Sequence, residues 1–239
     1  MESQPPDRNP AESTPGAPPH APAPGPEMPS SPAPPKAMTA AGRPGSGPPS
    51  PDYPVTLEVD RQESYSRLLP FVKWLLAIPH YLVLIFLYIG VFFAAIAAFF
   101  AVLITGKFPP GILTFVEGTV RWTYRTTAYA MLMTDTYPPF SLDEEPNHPV
   151  RLTIAQPDKI ARWRPLVHWL LVIPYYVIAY ILQLIWVYLV VIISFFAIVI
   201  TGKYPQALFD FSLVQHRWNL RAGAYFFFVT EKYPPFVYA

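Results

Sequence analysis

The sequence predicts an all-α integral membrane protein made of two duplicated helix pairs, with a disordered tail before them. Two observations lead to this prediction. Two apolar runs, Tyr81–Ile104 and Tyr175–Ile200, contain no charged residue, and the second half of the chain repeats the first. At about 1.5 Å per residue each run reaches about 36 Å or more, enough to cross a hydrocarbon core of about 30 Å. A buried helix of a soluble protein is the alternative, but such helices are seldom uncharged on every side over this length.

The composition agrees with a membrane domain and excludes several classes of site. Charged residues make up 14% of the chain and aromatic residues 16%, which is typical of proteins whose Trp and Tyr side chains lie at lipid headgroups. A net charge of +1 provides no basic field for nucleic acid. Because the chain has no cysteine, it can form no disulfide and no thiolate metal site.

Residues 1–52 are predicted to form a disordered, proline-rich tail. The segment holds about half of the prolines, with Ala, Gly and Ser between them, and has too few apolar side chains to offset the entropy cost of folding. The tail is interpreted first as a plain solvated tether, and docking of its stretch around Pro32–Pro35 to an aromatic groove is the alternative.

The first copy is predicted over residues 53–142. Apolar and polar side chains alternate over Tyr53–Asp60, which indicates a short strand with one covered face. Lys73 and Trp74 then lie one turn before the apolar span, where Lys73 is expected to extend its ammonium group to water. Pro79 either begins the spanning helix, 81–104, or kinks a longer helix.

A second, less apolar helix is predicted over residues 112–133, after a turn that contains Gly106 and Lys107. Three charged residues recur every four positions on one of its faces: Glu117, Arg121 and Arg125. Glu one turn before Arg is the favourable order for an ion pair on a helix. The sequence Tyr137–Phe140 closes the copy with an extended piece.

The second copy is predicted over residues 143–239, with its span at 175–200 and its second helix at 207–230. The repeated residues include Pro-Val at 149–150, Trp169, Thr-Gly-Lys at 201–203, Arg217-Trp218, Arg221 and Tyr-Pro-Pro-Phe at 233–236. The later matches are offset by one inserted residue. So many spaced matches indicate an internal duplication.

These repeated motifs resemble the family called domain of unknown function 4389, which is found in actinobacterial membrane proteins. The resemblance covers residues 53–140 and 148–239 and implies a membrane protein, but no activity, substrate or cofactor. The second copy departs from the first at His148, His168 and Leu213, which replace Tyr53, Lys73 and Glu117. Leu213 removes the acidic partner before Arg217, although Asp210 lies two turns earlier on the same face.

The second helices are the ambiguous part of the predicted topology. Three charges near the middle disfavour an isolated span, so each helix alone would lie in the membrane interface. Two similar copies should nevertheless share one orientation, which requires an even number of crossings per copy. A four-helix membrane bundle satisfies this, and so does a hairpin in the first run near Gly90.

The four-helix bundle would place the tail, the linker between the copies and the C-terminus on the cytoplasmic side. The basic residues expected there are Arg61, Arg67, Arg151, Lys159, Arg162 and Arg164. Lys107 and Lys203 would lie on the opposite side of the membrane. Four short extended pieces, near Val55, Phe140, Val150 and Phe236, would then meet on the cytoplasmic side and pair into a small sheet.

The candidate functional residues are the charged residues of the second helices: Glu117, Arg121, Arg125, Asp210, Arg217 and Arg221. Ionisable residues at membrane depth are candidates for anion or lipid binding, and the alternative is that they hold the helices together. His80 and His168 are expected at the membrane interface, and the six tryptophans in the aromatic belt or in packing. The sequence contains no Gly-x-Ser-x-Gly, phosphate-loop or His-Glu-x-x-His motif.

The sequence therefore predicts a multi-pass protein of the cell membrane with a cytoplasmic N-terminus and no enzymatic activity. The function predicted first is a non-enzymatic accessory or scaffold protein whose tail recruits a cytoplasmic partner. The alternative is a small transporter or lipid-handling protein with an arginine-lined site inside the membrane. Neither function involves a cofactor, a metal or nucleic acid. The lipid bilayer is the one partner common to both.

Overall fold

The computed structural model describes residues 53–155 and 159–236. The predicted disordered tail, residues 1–52, lies outside this part of the chain. Within the described residues the fold is mostly helical, with one small sheet.

The first copy contains strand β1, Val55–Val59, helix α1, Lys73–Thr105, and helix α2, Pro110–Ala130. β1 alternates buried and half-buried side chains, as its sequence pattern predicts. α1 begins about two turns before the predicted span and carries Pro79 inside it, so Pro79 does not mark the helix start. Gly106 ends α1 with a φ of 70°, a left-handed conformation that glycine adopts readily.

The second copy follows the same order. Its elements are strand β2, Val150–Ile154, and helices α3, Arg164–Leu171, α4, Ile173–Ile185, α5, Val191–Thr201, and α6, Gln206–Phe226. α3, α4 and α5 together correspond to α1, and α6 corresponds to α2. Gly202 ends α5 with a φ of 71°, as Gly106 ends α1.

A π-helical turn, Trp186–Val190, joins α4 to α5 and accommodates the inserted residue. A π turn holds one residue more than an α-helical turn, so the side chains before and after it lie on the same face of the helix as their counterparts in α1. Ala179 before the turn and Ile198 after it are buried, and so are their counterparts in α1, Leu84 and Val102.

The two strands pair antiparallel, with Leu57 opposite Leu152. These two leucines are also counterparts in the sequence repeat, so the pair lies on a local two-fold axis that relates the copies. In the described chain the pieces near Phe140 and Phe236 form no strand, and this part of the prediction is wrong. Two prolines precede each phenylalanine, and proline has no N–H to donate to a sheet.

The copies pack against each other through reciprocal contacts. The Ile160 N–H donates to the Gly106 carbonyl at 2.8 Å, and the Tyr65 N–H donates to the Gly202 carbonyl at 2.9 Å. The end of each copy's long helix therefore lies beside the start of the other copy's, and the two long helices run antiparallel. The Lys107 turn touches the segment leading to Arg162, which corrects the prediction that these residues lie on opposite sides of a membrane.

Helices α2 and α6 lie in the middle of the fold and are buried on most sides. The long helices bury much less. In their most apolar parts only 17% of α1 and 22% of the α4–α5 helix, Ile173–Thr201, is buried. Both helices are long and apolar enough to cross a membrane.

Candidate functional site

The four arginines of the second helices are all buried in the protein. Their exposed fractions are 7% for Arg121, 1% for Arg125, 4% for Arg217 and 2% for Arg221. Each pair is separated by one helical turn, so both members share a face. A buried guanidinium group needs hydrogen-bond acceptors, and the contacts of these four residues show what they hold.

In the first copy the arginines bind the loop that follows α2. Arg121 Nη1 donates to the Leu142 carbonyl at 2.9 Å, and Arg125 Nη1 donates to the Asp143 carbonyl at 3.0 Å. Arg121 Nη2 also pairs with Glu117 at 3.0 Å and with Glu144 at 3.4 Å. The predicted pair of Glu117 and Arg121 is therefore present.

In the second copy the arginines bind strand β1 of the first copy and Tyr53 just before it. Arg217 Nε donates to the Leu57 carbonyl at 2.9 Å. The Arg221 guanidinium lies over the Tyr53 ring, 5.5 Å from its centre, in a cation–π contact. Asp210, the predicted substitute for the missing glutamate, accepts a hydrogen bond from Gln206 at 2.8 Å.

Gly118 lets the loop approach α2 closely enough for the Arg121 bond. A Cβ atom at this position would lie 2.8 Å from both the Cβ and the carbonyl oxygen of Leu142. Neither contact can be relieved by turning a flexible side chain. We call Arg121, Arg125 and Gly118, with the loop Leu142–Glu144, the arginine latch.

The outer face of the sheet carries a charged cluster. Arg151 of β2 donates to both carboxylate oxygens of Asp60, at 2.7 and 2.8 Å, and to Glu58 at 3.2 Å. The hydrogen bonds to Asp60 raise the pKa of Arg151. Paired carboxylates and a bidentate guanidinium stabilise the pairing of the two strands.

His148 is buried between the latch and the sheet. Its Nδ1 accepts a hydrogen bond from the Val150 N–H at 3.0 Å, at the start of β2. Burial, together with the positive charges of Arg125 and Arg151, lowers the pKa of His148 to about 4. The ring is therefore neutral at pH 7.

The other two predicted histidines do not lie at an exposed interface. His80 and His168 are both 0% exposed, so their rings pack inside the protein. His80 Nδ1 accepts a hydrogen bond from Trp122 Nε1 at 3.0 Å, and its ring stacks on Phe140 at 3.9 Å. His168 stacks on Tyr225 at 4.1 Å. Both rings serve packing between the long and the second helix of their copy.

Lys73 does not extend to water as predicted. It is 1% exposed, and its Nζ donates to Asp135 Oδ1 at 2.6 Å and to the Thr134 carbonyl at 2.7 Å. Asp135 also accepts a bond from the Ser66 N–H at 2.6 Å. The matching acid in the second copy, Glu231, accepts the corresponding bond from Ala161 at 2.6 Å. In both copies the repeated acid therefore accepts a backbone N–H from the segment before the long helix.

The tryptophans divide between the surface and the core. Trp74 and Trp169 hold matching positions and are 62% and 53% exposed. Each donates its Nε1–H to a carbonyl three residues earlier, at 2.8 Å. Trp122 and Trp186 are buried. The first pair suits a membrane interface, and the second serves packing.

The geometry of the candidate residues is that of a structural contact rather than an open binding site. Arg121 and Arg125 bind carbonyl groups of the chain, and Arg217 does the same. Among the described residues no group of three His, Asp or Glu side chains is placed to hold a metal ion. The arginines therefore fix the loop and β1 against the second helices.

A comparison with known protein families matches the family described as Domain of unknown function (DUF4389), over residues 68–141 and again over residues 162–237. No curated protein and no solved structure matches the chain. The two matched stretches lie on the two halves of the fold and together cover more than half of the sequence. The chain belongs to this family of domains of unknown function, DUF4389, and carries two copies of it.

Proposed function

We propose that this chain is a non-enzymatic accessory or scaffold protein of the cell membrane. Its two long helices anchor it in lipid, and its proline-rich tail, residues 1–52, recruits a protein on the cytoplasmic side. The observation that carries the proposal is the pairing of the second-helix arginines with groups of the chain itself. These side chains serve the fold, which leaves the tail as the part of the chain suited to a partner.

The apolar surface of the long helices supports the membrane anchor. Large apolar side chains on α1 and α4–α5 are exposed in the described fold, among them Phe86 at 73% and Tyr188 at 70%. Exposed apolar area of this extent is unfavourable in water and marks a surface that binds lipid or another protein. The uncharged length of both helices favours lipid.

A transporter or lipid-handling protein would need arginines that are open to a ligand. The cavity between the copies is instead lined mainly by apolar side chains, including Val91, Val120, Leu220 and Phe227, and no arginine lines it. Its volume is about 190 Å³. We therefore do not propose transport.

Purification in mild detergent, with and without residues 1–52, tests the scaffold proposal. Mass spectrometry would identify the proteins and lipids that remain bound. We expect a protein partner that is retained by the full chain and lost with the tail. A specific anionic lipid or solute retained without the tail would contradict the proposal, if Arg121→Gln releases it from a protein of normal abundance.

The same substitution tests the structural role of the arginines. Arg121→Gln removes charge-assisted hydrogen bonds of about 1.5–3 kcal/mol each, so we expect lower thermal stability and lower abundance. Lys159→Gln removes an exposed charge and is the matched control. Unchanged stability of Arg121→Gln would show that the latch is not needed for the fold.

A further inference from the structure

The two faces of the fold differ in chemistry. The long helices form one face and expose apolar side chains from end to end. Examples along α1 are Trp74, Phe86, Phe93, Phe100 and Ile104, each between 54% and 73% exposed. The α4–α5 helix exposes Tyr180, Tyr188, Phe196 and Ile200 in the same way, between 57% and 70%.

The opposite face carries charge. The sheet presents the half-buried cluster of Glu58, Asp60 and Arg151. The loop of the arginine latch adds three consecutive exposed acids, Asp143–Glu145. Helix α2 contacts both this loop and α1. Trp122 and Thr123 of α2 bond α1, whereas Gly118 and Arg121 contact the loop.

The sheet lies level with the middle of the long helices, and the acidic loop lies nearer the start of α1. Arg121 holds the acidic loop, and the next residue of α2, Trp122, bonds His80, in the first third of α1. Thr123 reaches Tyr88, near the centre of α1. The sheet is level with the centre as well, because the pair of Leu57 and Leu152 lies on the two-fold axis that exchanges the long helices.

This position of the charged groups along the long helices is incompatible with long helices that cross a bilayer. If α1 crossed, the charged cluster of the sheet would lie near the bilayer centre, where exposed charges are strongly disfavoured.

The basic residues at the two ends of the fold do not favour placing these ends on opposite sides of a membrane. Because the long helices are antiparallel, one end carries Lys203 with Arg67 nearby, and the other carries Lys107 with Arg162 nearby. The positive-inside rule acts on a difference in basic residues. The two ends carry equivalent basic residues, so the rule allows both ends to lie on the same side of the membrane.

We propose that the protein lies flat in one leaflet of the bilayer and that neither long helix crosses it. The partner of the apolar face is the acyl-chain region of that leaflet. The two-fold axis stands along the membrane normal, α2 and α6 lie above the long helices, and the sheet and acidic loop face water. Both Thr-Gly-Lys turns lie on that same side. The inference rests on the proposed membrane anchor and specifies how it is placed.

Single-cysteine labelling tests this placement, because the natural chain has no cysteine. Three variants of the full chain are needed: Lys107→Cys, Glu145→Cys and Lys203→Cys, all at exposed positions. A membrane-impermeant maleimide is applied to intact cells and to inverted vesicles. We expect all three variants to react from the same side.

Each arrangement with crossing helices gives a different pattern. If Lys107→Cys and Lys203→Cys react from one side and Glu145→Cys from the other, each copy crosses as a helix pair. If Lys107→Cys and Lys203→Cys react from opposite sides, the long helices cross antiparallel. Either result overturns the inference. Release of the protein from membranes by alkaline carbonate would overturn the membrane anchor itself, so the two failures are distinguishable.

Spin labels measure the same placement as a depth. Phe86, Phe93 and Phe100 follow each other at seven-residue intervals, so they share one face of α1, and all three are exposed. In a flat helix, labels at these positions lie within about 5 Å of one depth. In a helix that crosses at a tilt of up to about 40°, the outer two differ by about 16 Å or more. That difference in lipid depth would overturn the proposal.

Discussion

Replacing Gly118 with alanine should destabilise the protein, although alanine is the better helix former. In a helix interior the exchange of glycine for alanine is worth about 1 kcal/mol in favour of alanine. At Gly118, however, the new Cβ would lie 2.8 Å from the Cβ and the carbonyl oxygen of Leu142. Overpacking of this kind costs about 1–3 kcal/mol.

The displaced loop would also weaken the arginine latch. The Leu142 carbonyl is the acceptor for Arg121 Nη1 at 2.9 Å, and a charged hydrogen bond contributes about 1.5–3 kcal/mol. After the gain in helix propensity, we expect Gly118→Ala to lose about 2–4 kcal/mol of unfolding free energy. At about 2–4 °C per kcal/mol for a chain of this size, the loss is visible in a thermal scan.

Two other helical glycines provide matched controls for that scan. A Cβ at Gly111 of α2 or Gly223 of α6 would meet no heavy atom within 4 Å. Gly223→Ala should therefore raise the unfolding temperature, and Gly111→Ala, in the first turn of α2, should change it little. Tryptophan fluorescence in detergent follows the unfolding. The proposed close contact is refuted if Gly118→Ala unfolds at or above the wild-type temperature while Gly223→Ala unfolds at a higher temperature than the wild type.

Three further predictions concern the long helices and the buried ionisable groups. Deleting Tyr188 should convert the π turn to α-helix and keep the fold, whereas deleting Phe92 rotates the buried stripe of α1 by about 100° and should abolish folded protein in size-exclusion chromatography. Equal yields of the two deletions would contradict the role of the π turn. Asp135→Asn should lower stability by about 3–5 kcal/mol because it leaves the Lys73 ammonium buried without its counter-charge, and Asp135→Glu should restore part of the loss, as thermal unfolding will show. His148, with its pKa lowered to about 4, binds fewer protons in the folded than in the unfolded state, so stability should fall as the pH drops from 6.5 toward 4, by about 2 kcal/mol at pH 5. His148→Asn should show a smaller loss of unfolding temperature between pH 7 and pH 5, and an unchanged loss would exclude His148 as its source.

The sequence predicted the helices and the duplication because both depend on local patterns. Uncharged apolar runs, the Gly-Lys turn and the repeat of motifs are readable along the chain. The pairing of Glu117 and Arg121 was predictable for the same reason, since four residues on a helix define the contact. The long helices differ from the predicted spans mainly at their starts.

Contacts between distant segments were not predictable in this way. The predicted partners of Arg217 lay on its own helix, whereas the fold gives it the Leu57 carbonyl of the other copy. Lys73 was expected in water because it adjoins an apolar run, yet Asp135 reaches it from the end of the second helix. Snorkelling and burial are equally compatible with a lysine at a helix start. Only the packing of the two helices decides between them.

The reciprocal packing of the copies explains why one chain carries two copies of the family domain. A single copy would leave β1 with an unpaired edge and the Gly106 carbonyl without the N–H of Ile160. The second copy supplies both groups, and the first supplies the equivalent groups to β2 and Gly202. Such reciprocal contacts across a two-fold axis are those of a symmetric dimer. The duplication therefore joins two halves of a dimer, and the linker between them forms the latch loop held by the α2 arginines.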